Sequence, residues 1–259
     1  MNPKQSLDIN RDGWNAIAET FSGTTLPRYG PLAYSEPDLC LIGNVKGKRV
    51  LEVGCGSGRS LLYLAQSGAT ELWGLDLSRS QIQLAAALLG ANNVAHHLFE
   101  SPMEENPGIP LDYFDLVVSI YALGWSVDLA STLHHIASYL KPDGVFVFSW
   151  EHPIYHCLEY EGGQYIFKKS YQIEGPQAFP SWQGVPIIQH PRKISTYINC
   201  LIDAGLTIER VIESDVDTKS LQEKHLSPEY WYSAPRARLI PTTMIVKVRK
   251  LLTKVDPIQ

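Results

Sequence analysis

The chain has no long hydrophobic run, few cysteines and no excess of positive charge, and each shortage removes a class of function. No stretch approaches the ~18 apolar residues of a membrane-spanning helix. The opening Met1-Asn2-Pro3-Lys4-Gln5-Ser6 is polar and leads into no apolar core of signal-peptide length. A soluble, unexported, cytoplasmic protein without a membrane partner is expected. Four cysteines, Cys40, Cys55, Cys157 and Cys200, stand far apart with no CxxC pair. Neither a disulfide framework nor a zinc knuckle is expected, and no metal site is assigned. The formal net charge of -5 gives no field that gathers a polyanion, which argues against nucleic acid. Basic residues collect late, at Arg236, Arg238, Lys247, Arg249, Lys250 and Lys254, and read as a solvated edge strand and tail.

With 259 residues, 44% of them hydrophobic, the chain can bury a full α/β core as one domain with a cap. The stretch Val50-Leu51-Glu52-Val53-Gly54-Cys55-Gly56-Ser57-Gly58 runs apolar β-formers into three alternate glycines, and helix formers follow from Ser60. A buried strand, a tight turn and a helix start are predicted, with backbone N–H groups facing a ligand. Glu71 to Asp76 reads as a second strand ending in an acid, and Ser78 with Gln81 as an S-x-x-Q capping box. Val94–Phe99 and Phe114–Ile120 follow as strands, the latter of the apolar kind buried on both faces. A helix over Asp128–Leu140 is ended by Lys141-Pro142-Asp143-Gly144, and Val145–Trp150 is the fifth strand.

Upstream, Trp14, Ile17, Ala18 and Phe21 predict a short helix over Asp12–Phe21, and Pro37 and Asp38 start another that Gly43 ends. From Glu151 to Pro191 the periodicity fails in a segment rich in aromatic residues, read as a lid with a docked hairpin as the alternative. A helix capped by Ser195 and two alternating strands, Leu206–Glu213 and Met244–Arg249, complete the pattern. Tyr230-Trp231-Tyr232 is either core for these strands or pocket lining. Strands alternating with helices give a parallel, doubly wound sheet with ligands beyond its carboxyl ends.

The glycine spacing G-x-G-x-G, with Glu52 at the strand end and Asp76 placed 22 positions after Gly54, disfavours a pyrophosphate and favours a cationic ligand with a ribose. S-adenosylmethionine meets both conditions; a dinucleotide-dependent oxidoreductase is the alternative. For acid–base work the sequence offers His152, just after the fifth strand, and His190, at the far end of the lid. His152 and His156 have the i, i+4 spacing of metal ligands, but Pro153 opposes a helix there and no third ligand is evident. His96, His97, His134 and His135 read as structural or solvated.

On VLEVGCGSG (Val50–Gly58), LDLS (Leu75–Ser78), FDLVVS (Phe114–Ser119) and LKPDG (Leu140–Gly144), the chain resembles the class I S-adenosylmethionine-dependent methyltransferases, in the small-molecule branch of ubiquinone and menaquinone biosynthesis. The resemblance covers roughly Val45 to Leu206. It implies a doubly wound, mostly parallel, seven-stranded α/β sheet (the Rossmann-like methyltransferase fold) carrying the aromatic-rich lid at 151–191. Residues 1–44 would form a helical cofactor cover and 45–259 the catalytic domain. It also implies that Glu52, Gly54, Cys55 and Gly56 hold the methionine part of the cofactor, with Ser119 and Tyr121 beside it. Asp76 and Leu77 would take the ribose, Ser101, Pro102 and Met103 the adenine, and Tyr29 or Trp14 would fold over the cofactor. The family more often has aspartate where Ser101 stands, so a hydroxyl or a backbone carbonyl would replace that contact. The expected activity is methyl transfer to an O, N, S or C atom of a small, partly apolar or aromatic molecule by a monomer or homodimer. A protein of this fold that binds the cofactor without methylating is the other alternative.

Overall fold

Phe114-Asp115-Leu116-Val117-Val118-Ser119-Ile120, with six of its seven residues buried, sits near the middle of a sheet covered on both faces, as an unbroken apolar strand requires. The computed structural model describes residues 2–21 and 23–251; Lys254 lies outside them. In chain order the elements are α1 (Pro3–Ile17), α2 (Glu36–Leu39), β1 (Arg49–Val53), α3 (Arg59–Gln66), β2 (Glu71–Asp76), α4 (Arg79–Ala91), β3 (His96–Glu100) and β4 (Phe114–Ile120). There follow α5 (Leu129–Tyr139), β5 (Leu140–Glu151), β6 (Leu158–Glu161), β7 (Gln164–Phe167), β8 (Gln177–Trp182), β9 (Val185–Gln189), α6 (Ile194–Asp203), β10 (Leu206–Glu213), α7 (Ala234–Ala237) and β11 (Thr243–Lys250).

Seven strands form one sheet in the order β10-β11-β5-β4-β1-β2-β3. The β1, β2, β3, β4 and β5 pairings are parallel, and β11 joins β5 and β10 antiparallel. The fold is therefore the doubly wound, mostly parallel α/β architecture, and its strand order reverses between β1 and β4, where such sheets open a crevice. Alternation along β1 sends Leu51 and Val53 into the core shared with α5 and α6, and Val50 into the one shared with α3 and α4. Glu52 lies on the Val50 side. No described helix is long and apolar enough to cross a membrane.

Several boundaries differ from expectation for local physical reasons. Helix α1 starts at Pro3, because Asn2 and Gln5 cap each other reciprocally and Pro3 occupies the first turn. Leu140 already pairs with Phe114, so β5 begins before the Lys-Pro-Asp-Gly bulge and resumes register at Val145 opposite Leu116. Helix α6 begins at Ile194: Glu174 of the lid accepts from the Lys193 amide at 2.7 Å and from the Thr196 hydroxyl at 2.6 Å, supplying the cap expected of Ser195. Arg236 is 3% exposed and lies over the Tyr155 and Trp231 rings, which corrects its reading as a solvated tail residue.

The segment after β5 is two hairpins, β6–β7 and β8–β9. The second is fastened to α1: the buried Asn10 side chain donates to the Ile188 carbonyl at 2.9 Å and accepts from the Ile188 amide at 2.7 Å. The same helix reaches α4, where Asn15 Oδ1 accepts from the Ser78 hydroxyl at 2.8 Å and the Ser80 amide at 3.1 Å. One N-terminal helix thus ties the β8–β9 hairpin to the turn that follows Asp76. Asn10→Ala leaves two buried backbone groups of Ile188 unpaired and should cost about 1–3 kcal/mol. A lower urea midpoint and faster chymotryptic cleavage at Phe179 or Trp182 are expected, and unchanged values for both would refute this role.

Candidate active site

A cavity of about 710 Å³ opens at the carboxyl edge of the parallel strands, a size that accepts a ligand of several rings. One end is built by the turns after β1, β2, β3 and β4. Glu52, Gly54, Cys55, Gly56, Asp76, Leu77, Ser101, Pro102, Met103 and Tyr121 all line it. Gly54 has φ +74, and a Cβ there would stand 2.2 Å from the Ala122 side chain, so only glycine lets β1 turn this close to the end of β4. Asp76 shapes the turn from the neighbouring strand: its carboxylate accepts from the Gly56 amide at 2.8 Å and the Ser78 amide at 2.9 Å. Ser78 still caps α4 by accepting from the Gln81 amide at 3.2 Å, but Asp76 replaces the expected Gln81 half of the capping box.

Glu52 is 2% exposed and its Oε2 has no hydrogen-bond partner. Burial pushes its carboxyl up to about 8, assisted by the Asp76 charge and opposed by hydrogen bonds from Ser60 and Leu61. Burial also raises Asp76, against the pull of the Ser78, Gly56 and Leu77 amides. An orphaned buried carboxyl beside a second carboxylate is a receptor for positive charge. The ammonium and sulfonium of S-adenosylmethionine supply such charge without a phosphate, so the residues present fit that cofactor and not a pyrophosphate.

The other end is aromatic. Trp14 of α1, Phe21, Trp125 and Trp182 of β8 pack with ring centroids 5.0–5.8 Å apart, edge to face except for the tilted Trp14–Phe21 pair, the separation favoured by aromatic quadrupoles. Trp150 extends this wall at 5.4 Å from Trp125 and 5.6 Å from Tyr121. At its floor lies Glu151, the last residue of β5 and 4% exposed. Its Oε2 accepts from Trp231 Nε1 and from the Tyr232 hydroxyl, both at 2.7 Å. His156 Nε2 stands 2.5 Å from Glu151 Oε1, in contact though out of line for a hydrogen bond. Burial alone would raise the Glu151 carboxyl, but the adjoining His156 ring and these donors hold it below the usual carboxylate range. Glu151, His156 and Tyr230-Trp231-Tyr232 all line the cavity, so the aromatic triplet is pocket lining.

Four residues expected at the site do not line it. His152 lies 2.9 Å through Nε2 from Glu213 Oε1 of β10, and its amide donates to the Thr242 carbonyl; successive residues leave a strand on opposite sides, and Glu151 takes the cavity side. His190 belongs to a separate depression with Arg192 and Asp128, where burial and the Arg192 charge push it down to about 4. The Tyr29 hydroxyl donates to Glu36 Oε2 at 2.5 Å within a fully buried network that also takes the Leu41 and Ile42 amides. Ser119 is completely buried within β4, one residue short of the lining at Ile120. Among the aromatic cover candidates, Trp14 reaches the cavity and Tyr29 does not. Two further lining residues, Glu151 and His156, were not expected at the site, His156 having been weighed only as a metal ligand. An acid at the carboxyl end of an apolar strand is the same signal that singled out Glu52 and Asp76, and it was present in Ser149-Trp150-Glu151.

Residues 36–254 match the family described as a methyltransferase domain. An uncharacterized protein of Haemophilus influenzae is 30% identical over 187 residues, covering 68% of this chain and 73% of that protein. A ubiquinone biosynthesis O-methyltransferase of Neisseria meningitidis is 32% identical over 107 residues, 41% of this chain and 45% of that enzyme, so the match spans less than half its length. Among solved structures, an S-adenosylmethionine dependent methyltransferase of Mesorhizobium loti is similar with a TM-score of 0.67 and 29% identity, over 82% of this chain and 96% of that one. The dinucleotide alternative falls with these matches and with the unpaired Glu52. The chain belongs to the methyltransferase-domain family and is an S-adenosylmethionine-dependent enzyme.

Proposed function

We propose that this methyltransferase acts on a small, partly apolar aromatic molecule held in the tryptophan-walled end of the cavity. The observation that carries the reading is continuity: the same cavity runs from the carboxylate end, which suits a cationic cofactor, to a wall of Trp14, Trp125, Trp150 and Trp182 closed over by the β8–β9 hairpin. Similarity to an O-methyltransferase of ubiquinone biosynthesis supports an aromatic acceptor. In this reading Glu52 takes the cofactor's ammonium and Asp76 its ribose hydroxyls, while Ser101, Pro102 and Met103 flank the base. S-adenosylmethionine supplies an already activated methyl group when bound. The protein's part is to align the acceptor and exclude water, which the paired hairpin and α1 accomplish.

Two outcomes test the assignment. Glu52 is largely protonated at pH 7, since its folded-state value near 8 lies above its ordinary 4.5. Its contribution to stability is therefore present at acid pH and fades as pH rises from about 4.5 to about 8. A bound ammonium reverses that shift, so S-adenosylhomocysteine should bind at pH 7 with release of about half to one proton, and its affinity should rise with pH until about 8. Calorimetry in buffers of different ionisation enthalpy reads the proton count, and Glu52→Gln should abolish it; equal release by both proteins would refute the role. For the acceptor, S-adenosylhomocysteine formation is followed with a panel of phenols, quinols and aromatic amines. Trp182→Ala should raise the acceptor KM by ~10-fold or more with cofactor affinity retained. Turnover confined to non-aromatic acceptors, or an unchanged KM, would contradict the reading.

A further inference from the structure

Among the described residues, the Glu151–His156 pair is an ionisable constellation in the acceptor end of the cavity that neither the cofactor nor the fold requires. We propose that His156 is the general base that takes the proton from a hydroxyl on the aromatic acceptor, with Glu151 as the positioning residue that holds the imidazole and balances the charge it gains; this rests on the aromatic-acceptor reading above.

Three observations carry it. The pair lies beside the methyl-transfer end of the sheet: β5 runs next to β4, the Tyr121 amide donates to the Ser149 carbonyl at 3.0 Å, and Glu151 follows two residues later. Glu151 is fixed from three sides, by Trp231, Tyr232 and His156, although a carboxylate at 4% exposure serves the fold no better than an apolar residue would. The His156 ring is aimed by its neighbours, with Nε2 enclosed against Glu151 and the indole of Trp231 at 5.9 Å, so Nδ1 is the nitrogen left to meet a ligand. The other charged or titratable groups around the pair are Tyr121, Tyr155 and Tyr232, whose hydroxyls burial raises above their ordinary range, His152 next to Glu151, Lys169, whose amide donates to the Cys157 carbonyl, and Arg236 over the Trp231 ring. Of these groups, His156 is the imidazole that both lines the cavity and stands against Glu151.

The step balances without a further reactant. As the acceptor oxygen forms its bond to the methyl carbon, its proton passes to His156 Nδ1. The carbon–sulfur bond breaks with its electron pair left on sulfur, giving S-adenosylhomocysteine and the methyl ether. The imidazolium, paired with Glu151, returns its proton to water after product leaves. A phenol or enol fits this base, because its O–H is acidic enough for an imidazole to remove as the new bond forms.

The test uses 4-nitrophenol and 4-methoxyphenol with the wild type, His156→Asn and Glu151→Gln. In the first arm 4-nitrophenol is titrated into protein saturated with S-adenosylhomocysteine, at a pH where the free phenol is neutral. Phenolate absorption should appear on binding to the wild type, be absent with His156→Asn and be weakened with Glu151→Gln. In the second arm, with S-adenosylmethionine, His156→Asn should lose ~10²-fold or more in turnover of 4-methoxyphenol and less than ~10-fold with the more acidic 4-nitrophenol. Affinity for S-adenosylhomocysteine within about threefold of wild type certifies each variant, and His156→Gln replaces His156→Asn if that criterion fails. Equal losses on both phenols, or phenolate absorption undiminished in the variant, would overturn the base assignment while leaving the acceptor reading intact. Failure of the wild type to bind or methylate either phenol would overturn the aromatic-hydroxyl acceptor itself.

Discussion

A carboxyl group buried without a positive partner must stay protonated or wait for a cation, and the cofactor end of this protein is organised around one that waits. Glu52 sits at the last turn of a buried strand with Oε2 unpaired, and burial holds its carboxyl near 8. The same length of chain supplies the glycine turn that gives access to it and, through Asp76, a second carboxylate that rigidifies the turn. At the other end of the cavity, Glu151 is buried to the same degree, but its Oε2 accepts from an indole and a phenol while an imidazole stands against Oε1, and these neighbours hold it below the usual carboxylate range. Two buried carboxyls are thus driven to opposite protonation states by their surroundings. Such divergence separates charge reception from proton handling within one site.

The cover follows from a different constraint, that hairpins alone are marginal in water and need a surface to bury against. Hairpin β8–β9 finds it in α1 through Asn10 and the close approach at Gly13, where a Cβ would meet the Pro186 carbonyl at 2.8 Å. Hairpin β6–β7 finds it in the loop before α7, where the Tyr165 hydroxyl meets the Pro228 carbonyl at 3.1 Å and the Ser233 hydroxyl at 2.9 Å. Because α1 also binds the start of α4, cover and cofactor turn are mechanically linked.

Much of this was legible in the sequence because its determinants are local. The strand–glycine turn–helix unit, the acid at the end of β2, the doubly apolar β4 and the two alternating end strands follow from periodicity and spacing, whereas the antiparallel pairing of those end strands does not. The break in periodicity after β5 was legible too, with a docked hairpin kept as one alternative, but the pairing into two hairpins was not, since β8–β9 docks on α1 more than 150 residues away in the chain and β6–β7 on the loop before α7. His152 and His190, the histidines expected to offer acid–base chemistry, lie outside the cavity lining for a related reason. His152 and Glu151 are adjacent, so which one enters the cavity is fixed by strand pleat and by the pull of Glu213 on β10, a non-local partner. His156, set aside as half of a metal spacing, enters because a short turn after β5 brings it back onto Glu151. Tyr29 was drawn away by Glu36, whose carboxylate gathers the backbone amides that end α2.

The central claim is that a single cavity presents carboxylates to the cofactor and an aromatic chamber to the acceptor, joined at the reacting sulfur. A crystal structure with S-adenosylhomocysteine bound tests it most directly. The account predicts the ligand's amino group within hydrogen-bonding distance of Glu52, its ribose hydroxyls on Asp76, and its sulfur facing the chamber that holds His156 and Trp182. An amino group turned away from Glu52, or a sulfur facing solvent or the depression around His190, would contradict it.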